Sequence, residues 1–372
     1  MSYDIVAGIP SYNEGKRISF VVKQVDLGLQ RYYPGKKALI INVDGGSTDN
    51  TRKSFLGTKT ETEKKSFCRK GVSGKGNVFR MLFGFLREHN VKAAMVVDAD
   101  LKSINPEWVR LMLGPVFKGY DYCTPLYSRH KYDGTITNNI VYPIVYGLFG
   151  MDIRQPIGGD FSFSGRMAKY WLRQEWKKST GQFGIDNFMT TSAITGGFKI
   201  CQVGLGAKIH KPSAPNLGRM FIEVIDTLFS NTLKSKGFIK RVSRVKGTDV
   251  KGIKLGKPQS LKFNKGKIRK KAVEGIEGFE NFYKKVLPTE VLVNIKDKGK
   301  IGKEEWCIIV YSFLKEFRKN SSKRLIEALS YLYFMRVYSF IEETERMSNE
   351  KAERKIREQA RLFFKRRNLF LK

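Results

Sequence analysis

Asp98 and Asp100, in MVVDADLKSINPEW, are separated by one residue and follow an almost wholly apolar run, Ala93 to Val97. At a strand end both carboxylates can face one hard cation such as Mg²⁺ or Mn²⁺, leaving coordination positions for the oxygens of a diphosphate and neutralising it as a leaving group. A solvated turn uses the same residue type, because Asp after a strand bonds to nearby backbone. In SGKGNVFRMLFGFL, Gly74, Lys75 and Gly76 lead straight into a helical pattern. Backbone N–H groups there and the lysine ammonium suit a phosphate. The glycine spacing and the Ser/Thr of a P-loop are absent, and an ordinary helix start accounts for the same residues. Asp44 closes a strand in INVDGGSTDNT, where it can accept hydrogen bonds from a nucleobase or ribose while Ser47, Thr48 or Asp49 caps the next helix. His210, in GLGAKIHKPS, is one of three histidines. A lone histidine is more often structural, but a neutral imidazole can complete a cation site begun by two aspartates.

These residues need a frame that brings strand ends together. Asp4 to Ile9, Lys37 to Val43 and Ala93 to Val97 read as β-runs, with helical patterns to about Tyr32, from Arg52 onward and from Asn77 to Glu88 between them. The βαβα order predicts an α/β doubly wound, Rossmann-like sheet whose ligands sit beyond the carboxyl ends of the strands. Residues 115 to 215 mix glycine-rich turns with short strands, which fits an acceptor-binding half. From Arg219 the pattern is helical, with Met220, Val224, Leu228 and Phe229 and later Leu325, Leu329, Leu332 and Tyr333 at helical spacing. The expected division is a catalytic domain over 1–218, with a donor half about 1–114 and an acceptor half about 115–218, followed by a helical region over 219–372. Within the latter, 244–271 is crowded with Lys and Gly and is expected to be a solvated loop.

A chain of 372 residues can build one large or two coupled domains. Hydrophobic residues at 41% and charged residues at 28% exclude a disordered or membrane-spanning class. Lys+Arg 69 against Asp+Glu 35 gives a net charge of +34, so the surface attracts phosphorylated small molecules, polyanions or anionic lipid. Cys68, Cys123, Cys201 and Cys307 are widely spaced without a CxxC pair, as in a reducing cytoplasm. The start MSYDIVAGIPSYNEG lacks the features of a signal peptide, and no apolar run reaches the ~20 residues of a membrane span. A cytoplasmic location is therefore expected.

In order along the chain, IPSYNE, VDGGSTD, GKG and the DxD of VDADL resemble the GT-A fold glycosyltransferases. RHKYDGTIT, RQPIGGDF, FGIDN and AKIHK narrow the resemblance to the retaining mannosylglycerate, glucosylglycerate and glucosyl-3-phosphoglycerate synthases, over about residues 4 to 230. The ordered combination is far more specific than any one motif.

The resemblance implies a nucleotide-sugar donor with Mg²⁺ or Mn²⁺. Asp98 and Asp100 match the DxD, with Asp100 the direct ligand, and His210 matches the histidine completing the metal site. Lys75 matches a lysine near the donor phosphates, and Pro10, Glu14 and Asp44 match the nucleotide pocket. Ile157, Gly158 and Gly159 fall where backbone approaches the donor sugar. Arg129 and Thr137 match residues that hold a glycerate's carboxylate and hydroxyls, with Asp133 supporting them; a guanidinium fork suits a planar carboxylate. Asp186 matches an acid that contacts sugar or acceptor hydroxyls. Two departures stand out: Asp160 replaces the usual Glu after the double glycine, and KPSAPN after His210 lacks an aromatic residue.

The implied reaction moves glucose or mannose to D-glycerate or 3-phosphoglycerate, as in compatible-solute synthesis, with retained configuration. The leaving phosphate itself would help to take the acceptor proton. Asp160 or Asp186 acting instead as general base would give inversion. A rival reading is a GT-A transferase acting on a polyprenyl phosphate at a membrane, for which the basic, Phe-containing stretch Lys351 to Lys372 speaks. A nucleic-acid-binding role finds support only in charge and interleaved aromatics, with no RNA or DNA motif. A peripheral contact with anionic membrane and a homodimer are compatible with the sequence.

Overall fold

The computed structural model describes residues 2–68, 73–210, 217–261 and 263–372. Ten strands are found: β1 (Ile5–Ser11), β2 (Ala38–Asp44), β3 (Glu63–Cys68), β4 (Ala93–Val96), β5 (Tyr122–Ser128), β6 (Met151–Asp152), β7 (Phe161–Ser164), β8 (Ile200–Ala207), β9 (Lys246–Gly247) and β10 (Asp249–Gly252). Eight form one sheet in the order β10-β8-β5-β7-β4-β1-β2-β3, and β6 pairs with β9. All ladders of the large sheet are parallel except those of β7 with β4 and β5. The strand order reverses at β1 and β4, where open α/β sheets bind ligands.

Local sequence explains these elements. The four residues of β4 are fully buried, as a strand covered on both faces requires. In the helix Ile18–Tyr32 the buried Ile18, Val21, Val22, Val25 and Leu29 form one apolar stripe against the sheet. The helix Pro106–Phe117 starts with Pro at its first position and with the Asn105 side chain accepting from Glu107 N–H, which fixes where the chain leaves the site.

The chain divides into two compact units, one of residues 1–128, 155–215 and 248–259, the other of 129–154, 216–247 and 260–372. The boundary read from the sequence at 218/219 is contiguous; the observed division interleaves. Residues 129–154, read as part of the acceptor half, pack with the helices of the second unit. There Trp306 Nε1 donates to the Asn139 carbonyl, Arg154 pairs with Glu353, and Gly147 lies against Phe363. Part of the supposed loop 244–271 is ordered differently too. β10 adds to the large sheet beside β8, and the helix Lys265–Gly278 begins inside the stretch. All four residues of β10 are exposed, so it is built by backbone pairing and by the Tyr120 hydroxyl donating to Asp249, and no apolar alternation marks it in the sequence.

The second unit is mostly helical, and its longest helix, Lys323–Thr344, buries Arg336. That guanidinium donates to Gln359, Glu343 and the Ile301 carbonyl. Among the described residues no helix is long and apolar enough to cross a membrane.

Candidate active site

Because β7 runs against its two neighbours, its beginning lies at the same edge of the sheet as the ends of β4, β5 and β8. Asp98 follows β4, Asp160 precedes β7 and Lys208 follows β8, so three charged side chains distant in sequence converge there. Lys208 Nζ is 2.9 Å from Asp98 Oδ2, 2.6 Å from Asp160 Oδ2 and 3.0 Å from the Gly158 carbonyl oxygen. Asp160 is fully buried and accepts three hydrogen bonds, from Asp98 N–H at 2.8 Å, the Tyr127 hydroxyl at 2.5 Å and Lys208. An acid so engaged holds the site together. Its bond from Asp98 N–H sets its carboxylate against the backbone of the DxD turn.

Lys75 enters from the helix Lys75–Glu88, with Nζ 3.5 Å from Asp98 Oδ1 and 3.3 Å from Asp186 Oδ1. Asp186 sits in the first turn of the helix Ile185–Thr195, where the helix dipole favours a carboxylate. Burial opposes ionisation of Asp98, yet the Lys208 and Lys75 ammoniums, with a smaller contribution from His210, hold its carboxyl far below the ordinary value. Burial likewise works against the Lys75 charge, and Asp186, Asp98 and Asp160 outweigh it, keeping the ammonium well above its usual range.

The GKG turn differs from the phosphate cradle its sequence suggests. Gly76 N–H donates to the Gln182 carbonyl at 3.0 Å and Asn77 N–H to the Gly181 carbonyl at 2.9 Å. A Cβ on Gly76 would lie 1.8 Å from the Thr180 carbonyl oxygen. These two donors lock the helix start to the loop that precedes Asp186, and the Lys75 ammonium projects from it to Asp98 and Asp186.

Asp44 holds a turn of its own. Its Oδ1 accepts from Gly46 and Ser47 N–H at 2.9 and 2.6 Å and its Oδ2 from the Ser11 hydroxyl at 3.2 Å, so the strand-end acid itself builds the turn. Asp49 accepts from Thr51 N–H at 2.9 Å and Gly15 N–H at 3.0 Å, and Ser47 from Asn13 N–H at 2.8 Å. The loops after β1 and β2 are thereby stitched together. Pro10 and Glu14 lie in the first of them; Glu14 pairs with Arg17 at 3.0 Å, and Tyr12 stands 61% exposed between them.

The double glycine sits in close quarters. A Cβ on Gly158 would meet Pro125 Cγ at 2.2 Å; Gly159 has φ +93°, and its Cβ would fall 2.7 Å from Asp98 Oδ2. Ile157 beside them is half-buried.

Asp100 and His210 are half-buried in the segments after β4 and β8. Lys102 N–H donates to the Ile209 carbonyl at 2.8 Å and Ile209 N–H to the Ser103 hydroxyl at 3.0 Å, which ties those two segments side by side. Among the described residues no three His, Cys, Asp or Glu side chains gather into a metal-holding group. Asp98, Asp100 and His210 are therefore not a closed cage, and Asp98 is engaged by two ammoniums. One carboxylate and one imidazole on adjoining segments suit a cation that takes its remaining ligands from diphosphate oxygens, as Mg²⁺ commonly does. The residues 211–216, which include the stretch lacking an aromatic, lie outside the described residues.

In the second unit Arg129, Asp133 and Thr137 form a cluster of their own. Arg129 Nη1 is 3.6 Å from Asp133 Oδ2. A Cβ on Gly134, whose φ is +64°, would lie 3.1 Å from the same Nη1 and 3.7 Å from Thr137 Oγ1.

Sequence reasoning missed Lys208 and Tyr127. Lys208 is one of 69 basic residues; it lies inside AKIHK, where only His210 was singled out, and its own sign is a place between apolar Ala207 and Ile209 at a strand end.

Burial and the nearby Asp98 charge raise the Asp186 carboxyl above its ordinary value, against the pull of Lys75 and Lys208. Such an acid holds its proton more tightly folded than unfolded. Its ionisation therefore costs stability as pH rises above the unfolded value of about 3.9, and the cost is complete above the folded value. Asp186→Asn is expected to raise stability at pH 7 by about 0.5–1 kcal/mol, with a smaller gain at pH 4. Urea denaturation at the two pH values checks this; a loss at pH 7 would show that the Lys75 pairing dominates.

No family model matches the chain, and no curated protein matches it in sequence. Solved structures do resemble it. Glucosyl-3-phosphoglycerate synthase from Mycobacterium tuberculosis, in complex with Mn²⁺, uridine diphosphate and glucosyl-3-phosphoglycerate, is 21% identical with a TM-score of 0.50, over 62% of this chain and 80% of that one. The same enzyme with Mg²⁺ and uridine diphosphate is 22% identical at TM-score 0.50, over 62% and 79%. With Mn²⁺, uridine diphosphate and phosphoglyceric acid it is 21% identical at TM-score 0.50, over 62% and 78%. The likeness is one of fold: this chain has the GT-A glycosyltransferase fold.

Proposed function

We propose that the protein is a divalent-cation-dependent retaining glycosyltransferase that moves glucose or mannose from a nucleoside diphosphate to D-glycerate or 3-phosphoglycerate. The observation that carries this reading is the charge balance at the sheet edge. Among the described residues, Asp98, Asp160 and Asp186 pair with the Lys75 and Lys208 ammoniums, three carboxylates against two ammoniums, with Asp100 and His210 on the adjoining segments. A diphosphate approaching such a cluster needs further positive charge. Asp100 and His210 would hold a Mg²⁺ or Mn²⁺ that supplies it and stabilises the leaving group.

The chain's own residues would do the rest. Lys75, on a fixed helix start, would attract the diphosphate and stabilise negative charge as the glycosidic bond breaks. The Gly158–Gly159 turn, held by Lys208, would let the donor sugar approach backbone. Asp186 would accept a hydrogen bond from a sugar or acceptor hydroxyl. With Asp160 occupied by three hydrogen bonds, its service as a general base is disfavoured, in keeping with retention.

Arg129 would grip the acceptor carboxylate, with Asp133 orienting the guanidinium. Arg129→Ala is expected to raise the acceptor KM by about tenfold or more while the donor KM changes little. Initial rates over both substrates check this; equal losses at any acceptor concentration would contradict it. The function as a whole is tested by a matrix of UDP-, GDP- and ADP-linked glucose and mannose against D-glycerate and 3-phosphoglycerate with Mg²⁺ or Mn²⁺. The anomeric proton of the product in NMR reads the stereochemical outcome. Failure of every pairing to release a nucleoside diphosphate would overturn the reading.

A further inference from the structure

Lys208 is the least expected member of the cluster. Its side chain is only 3% exposed, in contrast to the surface lysines that give the chain its charge. An ammonium has three N–H donors. Asp98 Oδ2 at 2.9 Å, Asp160 Oδ2 at 2.6 Å and the Gly158 carbonyl at 3.0 Å account for all three. The Tyr127 ring closes the other side, 5.3 Å from Nζ.

Two carboxylate oxygens and one carbonyl oxygen converging on a single point are the donors a hard divalent ion prefers. We propose that Lys208 is a positioning residue serving as a built-in cation: it fills the point between Asp98, Asp160 and Gly158, and so reserves Asp98 for ion pairing rather than for the metal. Its contribution is twofold. It fixes the double-glycine turn to the DxD turn without consuming a metal ion, and it directs any divalent ion to Asp100 and the segment carrying His210. A mobile metal at Asp98 would be exchangeable; a tethered ammonium is always present.

This inference rests on the glycosyltransferase reading for its consequence, but its test does not. Mn²⁺ alone is titrated against the full chain without nucleotide or acceptor, and free Mn²⁺ is followed by electron paramagnetic resonance. Lys208→Met leaves the three oxygens without a cation and is expected to bind one Mn²⁺ at least about tenfold more tightly than the wild type. Lys208→Arg, which retains the charge, is expected to show no gain. Lys208→Met combined with Asp98→Asn is expected to lose the gain, because one of the three oxygens no longer carries charge.

A folded Lys208→Met protein that binds Mn²⁺ no better than the wild type overturns the proposal, as does an equal gain in Lys208→Arg. Where Lys208→Met does not fold, Lys208→Gln gives the same reading, since its amide is neutral and can still donate to Asp160. Failure of the wild type to transfer any hexose would sink the functional reading and leave the Mn²⁺ result standing, so the two failures are told apart.

Discussion

Asp100→Ala is expected to lower hexose transfer by about 10³-fold or more, an effect of about 4 kcal/mol on the barrier. Asp100 lies in the turn beyond β4, beside the segment that carries His210, and Asp98 pairs with Lys75 and Lys208. Losing Asp98 would disturb an internal ion network; losing Asp100 would remove the carboxylate assigned to the cation. Folding should therefore survive Asp100→Ala, because the turn is held by backbone bonds, among them Lys102 N–H to the Ile209 carbonyl. Steady-state release of nucleoside diphosphate, with thermal denaturation as control, checks both parts. A loss below tenfold in a folded variant would remove Asp100 from the role assigned to it.

Lys75→Met is expected to be the next most damaging change, lowering turnover by about 10²–10³-fold. On the proposed function the ammonium meets the donor phosphates, while Gly76 and Asn77 N–H are committed to the 181–182 loop. Its loss also strips Asp186 of its nearest cation, while Asp98 keeps Lys208. The Asp186 carboxyl, already raised by burial, would rise further, and activity in the variant should decline toward acid pH more than in the wild type. Rate profiles from pH 5 to 8 for both proteins measure this. Wild-type turnover in Lys75→Met would contradict a role at the donor phosphates.

Much of the site was legible in the sequence because strand ends and turn residues advertise themselves. Asp98 and Asp100 follow an apolar run, and Gly74-Lys75-Gly76 opens a helix, as expected. What escaped has physical reasons. β3 and β10 are edge strands, β3 with half-buried Lys64, Lys65 and Ser66 between exposed ends and β10 exposed throughout, so neither shows the apolar pattern of a buried strand. The wiring of Asp98 to Asp160 and Lys208 depends on β7 running antiparallel, and residue periodicity does not encode strand direction. Asp44 also builds its own turn, accepting from Gly46 and Ser47 N–H, a use that the capping residues Ser47, Thr48 and Asp49 had been expected to fill. The interleaved units also escaped, since the contacts that draw 129–154 to the helical unit, such as Arg154 with Glu353, join residues far apart in the chain.

On the proposed function, a divalent ion lets the cluster of Asp98, Asp160 and Asp186 accept a diphosphate. The most direct measurement is release of nucleoside diphosphate from the preferred sugar donor, with acceptor present, as EDTA is added in excess and Mn²⁺ or Mg²⁺ is then restored. Turnover is expected to fall to background with chelator and to return with either metal, while the protein remains folded throughout. Undiminished turnover in metal-free solution would contradict it.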